Sequence, residues 1–389
     1  MKTTTSIVLA LIISIASLGQ SAQKNTALTD SSVIKIPDIA LETPEVLGHW
    51  LKKNTPNHYE AVKALYYWMG DHIFYDVRLL RMVMSTEPGK HHPYKDTVDA
   101  AIKTLSSRGA NCQGYTSLFF EVCRYADIPV DFISGYTYKH GQVDLDASHA
   151  WIGIKLNGHW GIIDPTWGAG TVDDKSRFAF NFNWRNFMIP PETAIFTHVP
   201  FDPIYQYLDH PIKPAEIRDQ TTTEALKRPA VNFEDTLAAV KKEAMLTQIQ
   251  GRLRRMQELG VINPLQEAEV KVLTSNIPAA NYATDKASGA ESRYRALIDR
   301  YNKLVHDSND FSSFMSKGMK PAKTNKEIID WMDRLCKEGP DIITALNGLT
   351  FQSPEITQNC QHLISSVQSL SARLQDTRKQ VTDYLNKKA

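Results

Sequence analysis

The sequence predicts an α+β core, in which a helix opening on a cysteine packs on an antiparallel sheet, followed by a helical C-terminal domain. Three observations carry this. After Cys112 the apolar residues Leu118, Phe119, Val122 and Ala126 recur at the spacing of one buried helical stripe. Residues 148–156 alternate with period two and run into Asn157-Gly158, the strongest short-range hairpin signal, after which 159–164 return as a second strand. Beyond about residue 215, strand patterning gives way to helical stripes.

Length and composition set the frame for these elements. The chain has 389 residues, 42% of them hydrophobic, enough for two domains with cores of their own. A formal net charge of +1 without a basic stripe argues against a nucleic-acid partner. At the N-terminus Lys2 precedes the apolar run Ile7-Val8-Leu9-Ala10-Leu11-Ile12-Ile13, with Gly19, Ser21 and Ala22 as small residues for cleavage. That pattern predicts a secretory signal peptide over residues 1–22, short for a transmembrane span, with an uncleaved anchor as the alternative. The mature protein is then expected to be secreted or periplasmic, with no membrane span after signal cleavage.

Residues 23 to about 45 read as an extended lead-in. Thr55-Pro56 looks like a cap with proline at the first helical position, opening a helix with Tyr59, Val62, Leu65, Tyr66 and Met69 on one face. A loop through residues 87–93 leads to a short helix at about 97–106, and then to the helix that begins at Cys112 and ends at Ile128-Pro129. Val130 to Tyr138 reads as a strand and Lys139 to Ala147 as a polar connection. In the hairpin, a two-residue turn sets Leu156 opposite His159, so Trp151 faces Asp164 and His149 faces Thr166. Facing residues share a face of the sheet, and Asp164 is then diagonal to His149 and within its reach. Residues 168–187, rich in Gly, Asp, Asn and aromatics, read as a loop into a further strand, either a decorated surface loop or the border of a cleft. The predicted domains are 23–215 and 216–389.

In the second domain, stripes run through Leu237, Val240, Leu246, Ile249, Leu253 and Met256, then through Tyr294, Leu297, Ile298, Tyr301, Leu304 and Val305. The last helix keeps a heptad seam from Cys360, Leu363, Val367, Leu370 and Leu374 to Thr377, Val381 and Tyr384. A bundle with its own core is the expectation, with protein-partner contact through these C-terminal helices as the alternative. Asn276 to Ala290, with Pro278 and Gly289, reads as a linker between helices.

Cys112 carries the chemistry. At a helix N-terminus the unpaired N–H groups and the positive end of the helix dipole favour a thiolate, the form that attacks electrophiles. A histidine oriented by a carboxylate, His149 with Asp164, supplies what such a nucleophile needs. The imidazole takes the thiol proton, and the carboxylate fixes its tautomer. Cys123 is about 11 residues on, about 16 Å of helical rise away, so the two cannot form a disulfide. Cys123 reads as a core residue, and whether Cys336 and Cys360 pair is left open. No cofactor is implied, and the histidines and cysteines show neither zinc-site spacing nor a calcium loop.

The runs Gly109 to Tyr115, Ser148-His149-Ala150-Trp151 and Trp160 to Gly168 resemble the Cys, His and Asp motifs of the transglutaminase-like, papain-related superfamily. The likeness is nearest to its bacterial, kyphoscoliosis-peptidase-like branch. Tyr66-Tyr67-Trp68 with Ile73-Phe74-Tyr75-Asp76 resembles that branch's helix before the nucleophile, and His198-Val199-Pro200 with Asp209-His210-Pro211 its segment after the core. The resemblance covers roughly residues 50–215 and implies a transglutaminase-like cysteine-protease core. It also implies Cys112 as nucleophile, His149 as base and Asp164 as its partner. An aromatic donor upstream would complete the oxyanion hole, with Tyr75 in that place and Trp68 and Trp151 as rivals.

The expected activity is cysteine-dependent acyl transfer on amide bonds of a peptide, protein or glycopeptide substrate, with hydrolysis favoured over transamidation. The rival expectation is a non-catalytic scaffold that keeps the fold and binds partners through its helical tail.

Overall fold

The computed structural model describes residues 30–85, 93–173, 175–319 and 322–388, so the predicted signal peptide and most of the 87–93 loop lie outside the described residues. The chain divides into two units, Met1–Glu234 and Asp235–Ala389. The first runs past residue 215, where the sequence suggested a break. Residues 216–234 belong with it because Arg228 donates to the Pro211 carbonyl at 2.7 Å, the Val231 N–H donates to the Asp209 carbonyl, and Lys155 pairs with Glu234 at 2.7 Å.

Helix α1 (Pro44–Asn54) lies where no helix was expected. Thr43 caps it by accepting from the Val46 N–H, with Pro44 at the first position. Thr55 closes this helix instead of opening the next: its hydroxyl donates to the Leu51 carbonyl at 2.8 Å. Helix α2 (His58–His72) starts from Asn57, whose side chain accepts from the Glu60 N–H at 3.0 Å. Pro56 sits in the turn between the two helices, where its missing N–H costs nothing.

After β1 (Phe74–Tyr75) and α3 (Val77–Ser85), helix α4 (Thr97–Ser107) and the short β2 (Gly109–Ala110) lead into α5 (Cys112–Tyr125). Asn111 caps α5 with its side chain on the Gly114 N–H. The main sheet is formed by β3 (Val130–Lys139), β4 (Gln142–Val143), β5 (His149–Leu156) and β6 (His159–Ile163), with β9 (His198–Pro200) pairing to β3. Between β6 and β9 lie α6 (Pro165–Ala169), the hairpin β7 (Gly170–Val172) and β8 (Phe178–Phe180), and α7 (Pro191–Ala194). The expected polar connection after β3 contains a hairpin of its own, since His140 and Gly141 take positive φ and let β4 fold back on β3.

The β5–β6 register is the one the turn dictates, with Leu156 opposite His159 and Ile152 opposite Ile163. Asn157 and Gly158, at φ 51 and 84, provide the left-handed pair that a two-residue turn requires. Helix α5 packs on β3 and β5, and its Tyr115, Leu118, Phe119 and Val122 share a core with Ile152, Ile154, Leu156 and Ile163. Each fully buried side chain of this size contributes about 1.5–3 kcal/mol relative to exposure.

The second unit is helical. It contains α10 (Met245–Leu259), α11 (Pro264–Ala287), α12 (Ala290–Ser316), α13 (Asn325–Asn347) and α14 (Pro354–Lys388), with α8 (Pro214–Arg218) preceding the break and α9 (Phe233–Val240) spanning it. Phe311, Met332, Ile342, Val367, Leu374 and Val381 lie in its core.

The expected linker at 276–290 is helix up to Ala287. Its alanines favour helix, Ala280, Asn281 and Asp285 are buried, and the chain turns only at Gly289, with φ 71. Along α14 the heptad seam drifts: Leu385 is buried where Tyr384 was expected, and Tyr384 is exposed. A straight helix turns every 3.6 residues and so departs from a 3.5-residue repeat. No helix of the described residues is long and apolar enough to cross a membrane.

Candidate active site

Three separate local structures converge on one point. Cys112 is the first residue of α5, His149 the first of β5, and Asp164 the residue after β6 that caps α6. Parallel pairing of β1 with β2 sets Tyr75 beside Ala110, two residues before the cysteine. Cys112, His149, Tyr75 and Trp167 all line a cavity of about 1130 Å³ in the first unit. Of the three aromatic candidates for the oxyanion hole, Tyr75 alone lines it. Trp68 instead stacks on His72, and Trp151 is buried against His198.

Asp164 is fully buried and uses both oxygens. Oδ1 accepts from the Thr166 and Trp167 N–H groups at 2.8 and 3.0 Å. Oδ2 meets His149 Nε2 at 2.7 Å and His198 Nε2 at 3.1 Å. Burial opposes the charge, but the two histidines and these hydrogen bonds hold the carboxyl far below the usual carboxylate range.

His149 is held well above the usual histidine value. Burial opposes protonation there too, and is outweighed by the Asp164 charge, the hydrogen bond to it and a hydrogen bond with Cys112. With Nε2 on Asp164, Nδ1 is the ring nitrogen left for the cysteine. Trp167 stacks on His149 with ring centroids 5.5 Å apart and restricts the ring's rotation. Burial, followed by the neighbouring Cys112 and Asp164, pushes the Tyr75 phenol far up, so it remains a neutral donor.

In the sequence His198 stands only within the family-like segment His198-Val199-Pro200, without a role. Its signal is tertiary, since it arrives on β9 and pairs opposite Thr137 of β3. Gly135 of β3 makes room, because a Cβ there would strike the Val199 carbonyl and the Trp151 ring. The loop at 168–187 forms the β7–β8 hairpin, and Gly170, Val172 and Phe178 from it line the cavity, the second of the two readings that the sequence left open.

Donor atoms of His149, Asp164 and His198 lie within 4.8 Å of one another, a spacing that an ion could use. However, Asp164 Oδ2 already serves both rings, and the three side chains are 10%, 0% and 1% exposed, so they read as a hydrogen-bonded trio. Cys123, Cys336 and Cys360 are buried free thiols elsewhere, and burial raises each of them above the ordinary thiol value. The arrangement as a whole can hold a thiol beside a basic imidazole in an accessible cleft, with a neutral phenol nearby.

Residues 48–165 match the model of the transglutaminase-like superfamily. The kyphoscoliosis peptidase of Mus musculus is 32% identical over 158 residues, which is 39% of this chain and 22% of that protein. The Homo sapiens kyphoscoliosis peptidase matches with the same identity and coverage. The chain thus spans about a fifth of the length of these curated relatives. Among solved structures, the periplasmic domain of TgpA from Pseudomonas aeruginosa aligns with a TM-score of 0.25 and 21% identity, over 34% of this chain and 45% of that one.

Proposed function

We infer that this chain, whose residues 48–165 form a domain of the transglutaminase-like superfamily, is a secreted or periplasmic enzyme that cleaves amide bonds of peptides, proteins or glycopeptides through a thioester on Cys112. The observation that carries this reading is the contact of His149 with both Cys112 and Asp164 at the wall of an open cavity. The sequence-derived signal peptide supports the location.

The raised His149 holds the proton given up by Cys112 as a thiolate–imidazolium pair, and in the acylation step the thiolate attacks the amide carbon. The resulting oxyanion is met by the unpaired N–H at the start of α5 and by the Tyr75 hydroxyl. Imidazolium His149 then gives its proton to the departing nitrogen, the C–N bond breaks, and an amine leaves. In deacylation the imidazole takes a proton from water, hydroxide attacks the thioester, and the proton returns to the leaving thiolate. Asp164 remains ionised throughout and balances the imidazolium. An amine could replace water in the second step. Water is favoured because it is far more abundant and needs no binding site of its own.

The test is incubation with a peptide mixture, read by mass spectrometry for new carboxyl termini and, with added amine, for new amides. Cleavage lost in Cys112→Ala supports hydrolysis, and amide formation in place of cleavage moves the assignment to transamidation. Cleavage that persists in the variant contradicts the nucleophile.

A further inference from the structure

We propose that His198 is a positioning residue for this reaction: a neutral imidazole whose Nε2–H holds the Asp164 carboxylate in the orientation that aligns His149. The inference rests on the functional reading above and adds a fourth residue to it.

The geometry assigns the tautomer. An ionised carboxylate only accepts hydrogen bonds, so the 3.1 Å contact with Asp164 Oδ2 requires a proton on His198 Nε2. Nδ1 of a neutral ring is then an acceptor, and the Thr197 hydroxyl, 2.9 Å from it and 3.1 Å from the Ala194 carbonyl, meets it by turning its one proton from the carbonyl to the ring. The ring is buried and walled by Trp151 and Trp167 at centroid distances of 5.1 and 4.7 Å. It therefore has little freedom to rotate.

Charge balance divides the work between the two imidazoles. With the Cys112 sulfur neutral, as thiol or thioester, Asp164 provides one negative charge for two rings whose centroids are 6.0 Å apart, so a second proton would be buried without a counter-charge. Burial and the neighbouring His149 hold His198 below the usual histidine value, whereas His149, which also meets Cys112, is held above it. The other titratable groups facing this trio are Tyr66 of α2, Tyr75 of β1 and Tyr115 of α5, all pushed up and uncharged. With Thr166 and Trp167 on Oδ1, His198 completes four bonds to the carboxylate. Without it, Asp164 would be free to tilt and easier to protonate.

The experiment measures selective alkylation of Cys112 by iodoacetamide against pH in the full chain, for wild type, His198→Phe and His198→Gln, with melting temperature followed in parallel. Phe keeps a ring but no donor, while Gln places an N–H close to the position of Nε2. The Phe variant should react about 10- to 100-fold more slowly at neutral pH, and its acid limb should move to higher pH. The Gln variant should recover most of both effects. A folded Phe variant with the wild-type rate and pH profile overturns the proposal, as does a folded Gln variant that shows the full loss. A wild-type Cys112 no faster than an ordinary thiol would overturn the functional reading together with this one, whereas an unchanged Phe variant overturns this one alone.

Discussion

Asp164 stands one residue beyond the Ile152–Ile163 pair, and its carboxylate reaches back to His149 Nε2 at 2.7 Å. This relationship is set by the turn. Asn157-Gly158 permits a two-residue connection, the connection fixes the register, and the register puts the carboxylate diagonal to the imidazole.

Inserting one residue between Asn157 and Gly158 should therefore turn the β6 side chains over and separate Asp164 from His149. Selective alkylation of Cys112 is expected to fall to that of an ordinary thiol, while far-UV circular dichroism changes little. Gly158→Ala is milder. Its Cβ meets no neighbour, so the loss should be about 1 kcal/mol from the positive φ alone, read by denaturant unfolding.

Cys112→Ala should abolish turnover with the melting temperature nearly unchanged, since the residue lines a cavity and not the packed core. Cys123→Ala should keep turnover but lose about 1–3 kcal/mol, because that side chain is 1% exposed within the core of the first unit. Parallel unfolding and peptide-cleavage assays separate the two effects.

Asp164→Asn should lower turnover by about 10²- to 10⁴-fold with little change in KM, since an amide favours the wrong imidazole tautomer. Its effect on stability depends on pH. The depressed Asp164 contributes stability that is present above the unfolded carboxyl value near 3.9 and is lost as pH falls through the folded value. The raised His149 contributes stability that is present below the unfolded histidine value near 6.5 and is lost as pH rises through the folded value. The gap in melting temperature between wild type and variant should thus be widest between about pH 4 and 6.5 and narrow on both sides.

A chain ending after Glu234 should keep a reactive Cys112, because every residue lining the cavity lies in the first unit. A chain ending at 215 should be less stable, since it loses the Arg228 bond to the Pro211 carbonyl and the Glu234 bonds to Lys155 and Trp160. Melting temperatures and alkylation rates of the two truncations check this.

The sequence made legible what local pattern determines: the stripe of α5, the alternation of β5 and the turn after it. From these followed the meeting of His149 and Asp164, while the resemblance to the family's Cys, His and Asp motifs implied that Cys112 joins them. Helix α1 was missed because Thr43-Pro44 and Thr55-Pro56 carry the same signal, and only packing shows that one opens a helix while the other closes it. His198 was not readable as part of the site, because its approach depends on β9 crossing beside Gly135, a contact between segments far apart in the chain. The 276–290 stretch misled because one proline and one glycine outweighed a run of good helix formers.

The proposed chemistry stands on Cys112 as nucleophile and His149 as its base. The most direct measurement is peptide mapping of the acyl adduct formed with a small activated ester, in wild type and in His149→Ala. The expected result is acylation on Cys112 alone, with Cys123, Cys336 and Cys360 unmodified, and a strong loss of acylation rate in the variant. Acylation spread over the four thiols, or an unchanged rate at Cys112 without His149, would contradict it.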